Sequence, residues 1–503
     1  MRKLLSSLES LTNSLTMYMV TVYALLAIVL VSLLLSAVGE LGFPVLALLA
    51  TLLTVLASTY LSSRLCAWTF GTQHNRASGL ITSLILYLTL APGDTAVELF
   101  KIALIGCIAS VSKYLLVWRG RHIFNPAALA LALGSFLGLS SALWWVGTPL
   151  LLPVVLITGL IIVTKTRRYA MVTTFTVVAI VTSIAVAAST SYPVLDALRL
   201  DILSGPLAFF AAVMLTEPLT SPATRRHQIG YAGLVGLLYS AQLPWVSTPH
   251  ISLLVGNLYR LIVQPQRSAL SLRVISVSEI APGVYELQAM PAHAIRYTAG
   301  QYLELQVPHA KQDSRGTRRI FSIASSPDEK TLRLTTRVPT HKASSFKHAF
   351  VRLTPDTQLR ATYIGGDFVL PHDPKAPLLW VAGGIGITPF RAMAASLLSA
   401  HDMRPVILFY QAYTPRDLAY LSFFTRAARS LSLTIIPVVA EAPANWTGET
   451  GRVSRTLLGR YVPDIHMHHV YISGAPAMVE STRSLFAHDY KPVQIMTDHF
   501  SGY

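Results

Sequence analysis

Long apolar stretches fill the chain from Met17 to Val263, broken by short polar segments; beyond residue 267 the pattern changes to short alternating strands and then to strand–loop–helix units. The first pattern predicts helices near 17–38, 41–61, 78–91, 96–117, 124–140, 147–164, 170–189, 202–215, 228–243 and 248–264. A helix needs about 20 apolar residues to cross a bilayer, and several of these stretches are shorter. The segment 78–91 opens on Ser78-Gly79 and stops before Pro92-Gly93. Short, interrupted segments persist at membrane depth only where protein or a cavity satisfies the released backbone groups. They are therefore candidate binding elements. The first apolar run is followed by more of the same, which argues against a cleaved signal peptide.

In the second half, Leu270 to Val277 and Val284 to Leu287 alternate as strands of a half-buried antiparallel sheet do. After Pro377 the order becomes strand, glycine loop, helix, the mark of a parallel α/β unit. The expected architecture is multidomain: a polytopic helical bundle over residues 1–266, an antiparallel β-barrel over 267–374 and a doubly wound α/β domain over 375–503.

Composition sharpens that division. The 503 residues are 52% hydrophobic and 13% charged, against about 25% charged in ordinary soluble domains. The net charge of +16 suggests nucleic acid until the halves are counted: 16 basic and 7 acidic residues lie in 1–267, and 24 and 17 in 268–503. With the N-terminus inside, Arg2, Lys3, Arg64, Arg76, Arg119, Arg121, Lys165, Arg167, Arg168, Arg225, Arg226, Arg260 and Arg267 all fall on the cytoplasmic side. Glu40, Asp94, Asp196 and Asp201 fall opposite, with Arg199 the clear cation there. The alternation predicts ten spans in a cell membrane, both ends cytoplasmic, and a lipid bilayer rather than nucleic acid as the partner of this half. Cys66 and Cys107 are too few for a disulfide scaffold, a four-cysteine zinc site or an iron–sulfur cluster held by this chain alone. They read as small apolar helix residues; iron–sulfur ligation shared with a partner chain is the alternative.

A weak internal repeat runs through the apolar half. Ser78-Gly79-Leu80 and Ser204-Gly205-Pro206 each precede, by tens of residues, a helix bearing an Asn: Asn125 in Phe124-Asn125-Pro126-Ala127-Ala128, and Asn257 in Val255-Gly256-Asn257-Leu258. Repeats with broken helices in matching places accompany sites at the repeat interface; chance recurrence of small residues is the other reading. Together with Met214-Leu215-Thr216-Glu217-Pro218-Leu219-Thr220-Ser221-Pro222, these stretches resemble the flavin-carrying membrane subunits of sodium-translocating NADH:quinone reductase and of the Rnf complex. The resemblance implies FMN, or riboflavin, among the helices, with Asn125, Thr216 and Asn257 as candidate contacts. That family esterifies FMN to the Thr of a Ser-Gly-Ala-Thr sequence. Here Pro206 and Leu207 follow Ser204-Gly205, which points to a noncovalent flavin, and Glu217 replaces the family's Asp.

Chemistry is densest in the second half. In Arg318-Arg319-Ile320-Phe321-Ser322, Arg319 offers a guanidinium fork for phosphate. Phe321 lies on the same strand face and suits stacking on a flat ring, and Ser322 suits a ring nitrogen. Further on, Leu379-Trp380-Val381-Ala382 runs into Gly383-Gly384-Ile385-Gly386-Ile387-Thr388-Pro389 and a helix. Glycines there let a pyrophosphate approach the backbone and the helix start. With Gly365-Gly366-Asp367-Phe368, Trp446-Thr447-Gly448, Gly451-Arg452-Val453, Ser473-Gly474-Ala475-Pro476 and the tail from Asp498 and Phe500 to Tyr503, these resemble the ferredoxin-NADP reductase superfamily over 268–503. The resemblance implies FAD and a nicotinamide nucleotide. It assigns Arg319, Phe321, Ser322, Ser345, Asp498 and Phe500 to the flavin. Gly383, Gly384, Gly386, Thr388, Pro389, Gly474 and Pro476 go to the nucleotide. Ser473 stands where the family often has Cys, and the usual Gly-x-x-Ser is altered to His341-Lys342-Ala343-Ser344-Ser345. Arg416 suits a 2′-phosphate or a solvated helix start, so NADH and NADPH stay open.

The fusion reads as an enzyme taking hydride from NAD(P)H, with Ser322, Ser473 and Asp498 around the reacting rings. Electrons pass to FAD, to a membrane flavin, and on to a quinone or extracytoplasmic acceptor, with ion movement as an open addition. A haem-carrying ferric-reductase type would need facing His pairs in the membrane, yet His74, His122, His227 and His250 all fall in expected loops or span ends. A regulated ion or vitamin transporter is the rival from another class. Mid-span acids would favour it; Glu98 sits near a span end.

Overall fold

The computed structural model describes residues 15–72, 76–118, 121–140, 142–264, 270–310, 312–313, 315–339 and 343–500. Arg2, Lys3, His74, Arg119, Arg267, His341, Lys342 and the tail 501–503 lie outside the described residues. The chain divides into two compact units, Met1–Gln266 and Arg267–Tyr503.

The first unit is helical. Its elements are α1 (Met17–Ala37), α2 (Val45–Thr69), α3 (Arg76–Thr89), α4 (Ala96–Leu115), a two-stranded ribbon of β1 (Val117–Trp118) and β2 (Arg121–His122), α5 (Pro126–Phe136), α6 (Leu152–Thr166), α7 (Tyr169–Ser189), α8 (Val194–Arg199, continued to Ser204), α9 (Leu207–Phe209, continued to Met214), α10 (Arg225–Ser240) and α11 (Pro249–Val263). Local chemistry sets several starts. Thr16 caps α1 and Thr95 forms a reciprocal box with Glu98 on α4, while Asn125 and Thr248 cap helices that carry Pro at the first position.

Each predicted apolar stretch meets a helix, but the ten-span count is not what length shows. Among the described residues α1, α2 and α7 are long and apolar enough to cross a bilayer, with α8–α9 a fourth if that bent pair is one span. The expected span 202–215 is instead two pieces meeting at 56°. The break falls at Gly205-Pro206, where a proline cannot donate to the helix ladder. The expected helix 41–61 starts later and runs on through Arg64 to Thr69, because no breaker occurs before Gly71.

The second unit has two sheets. β3 (Leu270–Ala281), β4 (Val284–Pro291), β5 (Tyr302–Gln306), β6 (Arg318–Ser322), β7 (Leu332–Arg337) and β8 (Gln358–Gly365) pair antiparallel in the order β6-β5-β8-β3-β4-β7, with α12 (Ser345–Val351) between β7 and β8 in the chain. β9 (Leu378–Gly383), α13 (Thr388–Ser399), β10 (Val406–Ala412), α14 (Leu421–Ala427), β11 (Leu433–Val439), β12 (Glu449–Thr450), α15 (Arg455–Tyr461), β13 (His469–Gly474), α16 (Pro476–Asp489) and β14 (Gln494–His499) form the α/β part. Its parallel order is β12-β11-β10-β9-β13-β14. β9 is buried on both faces, which is why Leu378 to Ala382 is continuously apolar. The two parts share a core across the expected boundary at 374: Ala299 and Phe368 pack with Trp380, Phe390 and Tyr471.

Candidate active site

The order of the parallel sheet locates the site. Going from β9, the chain adds β10 on one side and later β13 on the other, so the switch point lies between β9 and β13. In open α/β sheets ligands bind beyond the carboxyl ends of the strands at that point. Gly383 ends β9 and Ser473-Gly474 ends β13, with Ser473 level with Ala382. The turn Gly384–Ile387 then leads into α13, with Thr388 donating its hydroxyl to the Ile385 carbonyl at 3.1 Å.

Two glycines are needed here for different reasons. Gly384 takes φ +54°, the left-handed region, with open space where a side chain would project. At Gly386 a Cβ would fall 2.3 Å from the Ser473 carbonyl oxygen, so the turn can lie against β13 only without one. The Ser473 side chain is wholly buried and its hydroxyl has no hydrogen-bond partner among the described residues. An orphaned hydroxyl at a switch point fits a polar ligand arriving there.

β14 places Asp498 opposite Ser473, and the Ser322 hydroxyl of β6 donates to Asp498 Oδ2 at 3.1 Å. Ser322, Ser473 and Asp498, distant in sequence, are thus brought to one place by two sheets. Phe500 donates its backbone N–H to the Gly474 carbonyl at 2.9 Å and so holds the tail beside β13. Pro476 opens α16, and Thr388 and Pro389 are buried at the start of α13.

Phe321 differs from expectation. Alternation puts it on the face of β6 that turns into the barrel, where its ring is 5% exposed, stacked on Phe350 at 5.4 Å and flanked by Phe346 at 5.9 Å. It is a core residue without an open face for a flat ligand. Arg319, on the same side, lies over the Phe346 ring at 5.0 Å and donates to the carbonyls of Arg315 and Arg318 at 2.7 and 2.6 Å. Ser345 is already engaged: its hydroxyl meets His309 Nε2 at 3.0 Å and accepts from the Asp313 N–H at 2.9 Å. Arg416 is exposed in the turn Pro415–Asp417.

Around Ser345 the sequence reading missed part of the arrangement. Lys347 is buried, and burial, then Arg319 and Arg315, push its ammonium down to about 8. Asp313 pairs with Arg315 at 3.0 Å and accepts from the Ser345 N–H at 2.9 Å. Three cations gathered against one carboxylate suit a multiply charged anion such as a pyrophosphate. No local motif marks Lys347 or His309, because only the docking of α12 brings Lys347 to the arginines and Ser345 to His309.

In the helical unit the predicted Asn125, Thr216 and Asn257 also come together. Asn257 Oδ1 accepts from the Asn125 N–H at 2.8 Å, and its amide donates to the Thr220 carbonyl at 3.1 Å and the Tyr231 hydroxyl at 3.3 Å. The Asn125 amide donates to Glu217 Oε2 at 2.7 Å, and the Thr220 hydroxyl to the same oxygen at 2.9 Å. The paired asparagines are those of the suspected repeat. Ser78, Asn125, Thr216 and Glu217 line one cavity with apolar walls from Met17, Ile81 and Val213. Glu217 is an acid inside the bundle, which sequence reading noted only as a replacement. Lys113 Nζ donates to the Ser78 carbonyl at 2.8 Å, and Arg168 to the Ser221 hydroxyl at 2.5 Å. His250, expected near a span end, sits in the first turn of α11, buried and stacked on Trp144 at 6.4 Å.

Comparison with known proteins bears on the second unit. Residues 380–484 match the family described as oxidoreductase NAD-binding domain. The chain is 29% identical over 206 residues to the CDP-6-deoxy-L-threo-D-glycero-4-hexulose-3-dehydrase reductase of Yersinia pestis, covering 40% of this chain and 59% of that protein. It is 26% identical over 230 residues to an NAD(P)H-flavin reductase of Vibrio harveyi, covering 44% and 92%. Among solved structures, an Amycolatopsis cytochrome P450 reductase is similar with 28% identity and a TM-score of 0.42, covering 47% of this chain and 70% of that one.

Proposed function

We propose, for a chain whose C-terminal half is a ferredoxin-NADP reductase-superfamily module, that the protein is an NAD(P)H-dependent flavin oxidoreductase of a membrane. The observation that carries this reading is the meeting of Ser322, Ser473 and Asp498 at the switch point of the parallel sheet. FAD, when bound, supplies a group that accepts hydride and releases electrons singly. The chain's own residues hold and orient. Arg319, with Arg315 and Lys347, meets the pyrophosphate, and Ser322 presents a hydroxyl fixed by Asp498 to the flavin ring. Gly383, Gly384, Gly386 and Thr388 admit the nicotinamide nucleotide, with Gly474 and Pro476 shaping its other wall, and Phe500 lies beside the flavin. Arg416, exposed after β10, meets the adenosine end. The barrel and nucleotide domains are taken as 267–374 and 375–503.

For residues 1–266 the reading is a multi-pass bundle of about ten segments, both chain ends cytoplasmic. It holds a noncovalent FMN or riboflavin in the cavity of Ser78, Asn125, Thr216 and Glu217. Asn257 supports that cavity through Asn125. Electrons pass from this flavin to a quinone or an extracytoplasmic acceptor. Ion movement coupled to electron flow is the second reading, favoured by the Glu217 carboxylate held among buried amides and hydroxyls.

Acid denaturation of detergent-purified protein, followed by chromatography of the released flavins, tests both halves. FAD together with FMN or riboflavin is the expected result. FAD alone overturns the membrane flavin, and no flavin overturns the whole reading.

A further inference from the structure

Away from the reacting groups, the two parts of the reductase are joined by a ring of charged and polar side chains, buried at Glu286 and Arg391 and half-buried at Glu329, Arg333 and Tyr420. Arg391, in the first turn of α13, donates to the Ala324 carbonyl at 3.0 Å and to the Glu329 carboxylate. Glu329 also accepts from the Ser326 N–H at 2.7 Å and faces Arg333 Nε at 3.5 Å. Arg333 donates to Glu286 Oε1 at 2.5 Å, and the Tyr420 hydroxyl donates to Glu286 Oε2 at 2.6 Å. The ring closes through α14, where Phe423 lies beneath the Arg391 guanidinium at 4.6 Å. It therefore passes from the nucleotide part to the barrel and back.

Stability is a poor explanation for this arrangement. Glu286 is 3% exposed and Arg391 7%. Buried ion pairs lose much of their attraction to desolvation, and apolar groups of similar volume often serve as well. Tyr420 also adopts φ +60°, a strained backbone for a bulky residue that persists only when its surroundings hold it. What the ring does determine is position. Ala324 and Ser326 follow directly on the strand that ends at Ser322, and Arg391 lies three residues beyond Thr388 of the nucleotide turn.

We propose that the Arg391–Glu329–Arg333–Glu286–Tyr420 ring is a positioning device that sets the nicotinamide turn against the flavin strand. It thereby fixes the hydride donor–acceptor distance. The inference rests on the reductase reading above. The step it governs moves a hydride, one proton with two electrons, from the reduced nicotinamide to the flavin; the nicotinamide is oxidised and the flavin reduced. Misplacement by about 1 Å costs on the order of 100-fold in such a step.

Full-length protein loaded with FAD is mixed with NADPH or NADH in a stopped-flow instrument, and bleaching of the flavin band gives a limiting rate and a nucleotide Kd. Glu329→Gln keeps the side-chain shape and removes the charge that faces Arg391; Arg391→Lys keeps the charge and loses the fork. For both, the limiting rate is expected to fall about 10- to 100-fold. Bound FAD per chain should be unchanged and the nucleotide Kd should move less than about threefold. Tyr420→Phe, which deletes one hydroxyl, is the second probe should either variant fold poorly, and a smaller fall in the same quantity is expected. Unchanged limiting rates, or rates falling only in proportion to lost FAD, overturn the positioning role. Wild-type protein that neither nucleotide bleaches overturns the reductase reading instead.

Discussion

In the helical unit the buried polar groups meet through side chains, which bond to one another and to backbone groups. Asn125, Asn257 and the local pair Glu217 and Thr220 come from three segments, and each bond between those segments depends on how helices pack. In the reductase the corresponding geometry is set by backbone register: Ser473 lies opposite Asp498 because β13 and β14 are paired along six positions. The first arrangement fails as a network when one amide is lost. The second loses one contact at a time. Sites on strands inherit the precision of the sheet, whereas a node between helices carries its own.

That contrast can be broken experimentally. The largest effect is expected from Gly386→Val, since even a Cβ would sit 2.3 Å from the Ser473 carbonyl. Reduction of bound FAD by NAD(P)H should fall by about 100-fold or more, with FAD still bound, as read by stopped-flow absorbance. A fall of less than tenfold would show that the turn can move away from β13.

Asn257→Leu strikes the helical node. It removes one acceptor and two donated bonds, leaving the Asn125 N–H and the Thr220 carbonyl buried without this partner. At about 1–3 kcal/mol for each of the two orphaned groups, a destabilisation of about 2–6 kcal/mol is expected, together with loss of the non-FAD flavin. Thermal melting in detergent and flavin chromatography check the two parts, and retention of both flavins would remove the node from cofactor binding.

Ser322→Ala should cost less, about tenfold in flavin reduction, the scale of one hydrogen bond. Asp498→Asn, which keeps the shape and an acceptor for Ser322, should cost less still if orientation of that hydroxyl is what matters.

The smallest effect concerns pH. Burial and the neighbouring arginines hold the Lys347 ammonium down near 8, so above that value the folded, flavin-free protein carries it neutral. The unfolded chain still binds the proton there, and stability from this group rises with pH from about 8 toward the ordinary lysine value. A pyrophosphate favours the charged form, so FAD binding takes up a proton and weakens as pH rises above 8. The slope should approach tenfold per pH unit at most. Equilibrium dialysis of flavin-stripped protein measures it, and Lys347→Met should flatten the curve.

Much of the reductase was legible because its contacts are local in sequence or tied to strand ends. Arg-x-Phe-Ser lies on one strand, and Gly-Gly-x-Gly-x-Thr-Pro spans one turn and helix start. Phe321 shows where such reading stops: spacing places it on the face with Arg319, but only the docking of Phe346 and Phe350 decides that this face is core. Arg391 left a faint signal, a lone cation in the apolar run from Pro389 to Ala395. Nothing in the chain names its partners 62 residues earlier at Glu329. The helical half gave up its elements readily and its boundaries less so, since Gly205-Pro206 bends what hydropathy reads as one segment.

Hydrophobic periodicity alone thus determined a helical first half, a two-sheet second half and the change between them near residue 267, because burial against lipid, sheet or core imposes different spacings on apolar residues. Local motifs supplied the candidate places for a flavin and a nucleotide. Tertiary structure alone decided which polar groups share a site: Glu217 with Asn125, Ser322 with Asp498, Arg391 with Glu329. Hydrogen bonds and ion pairs act over a few ångströms in space, whatever the separation along the chain, so no one-dimensional pattern records them.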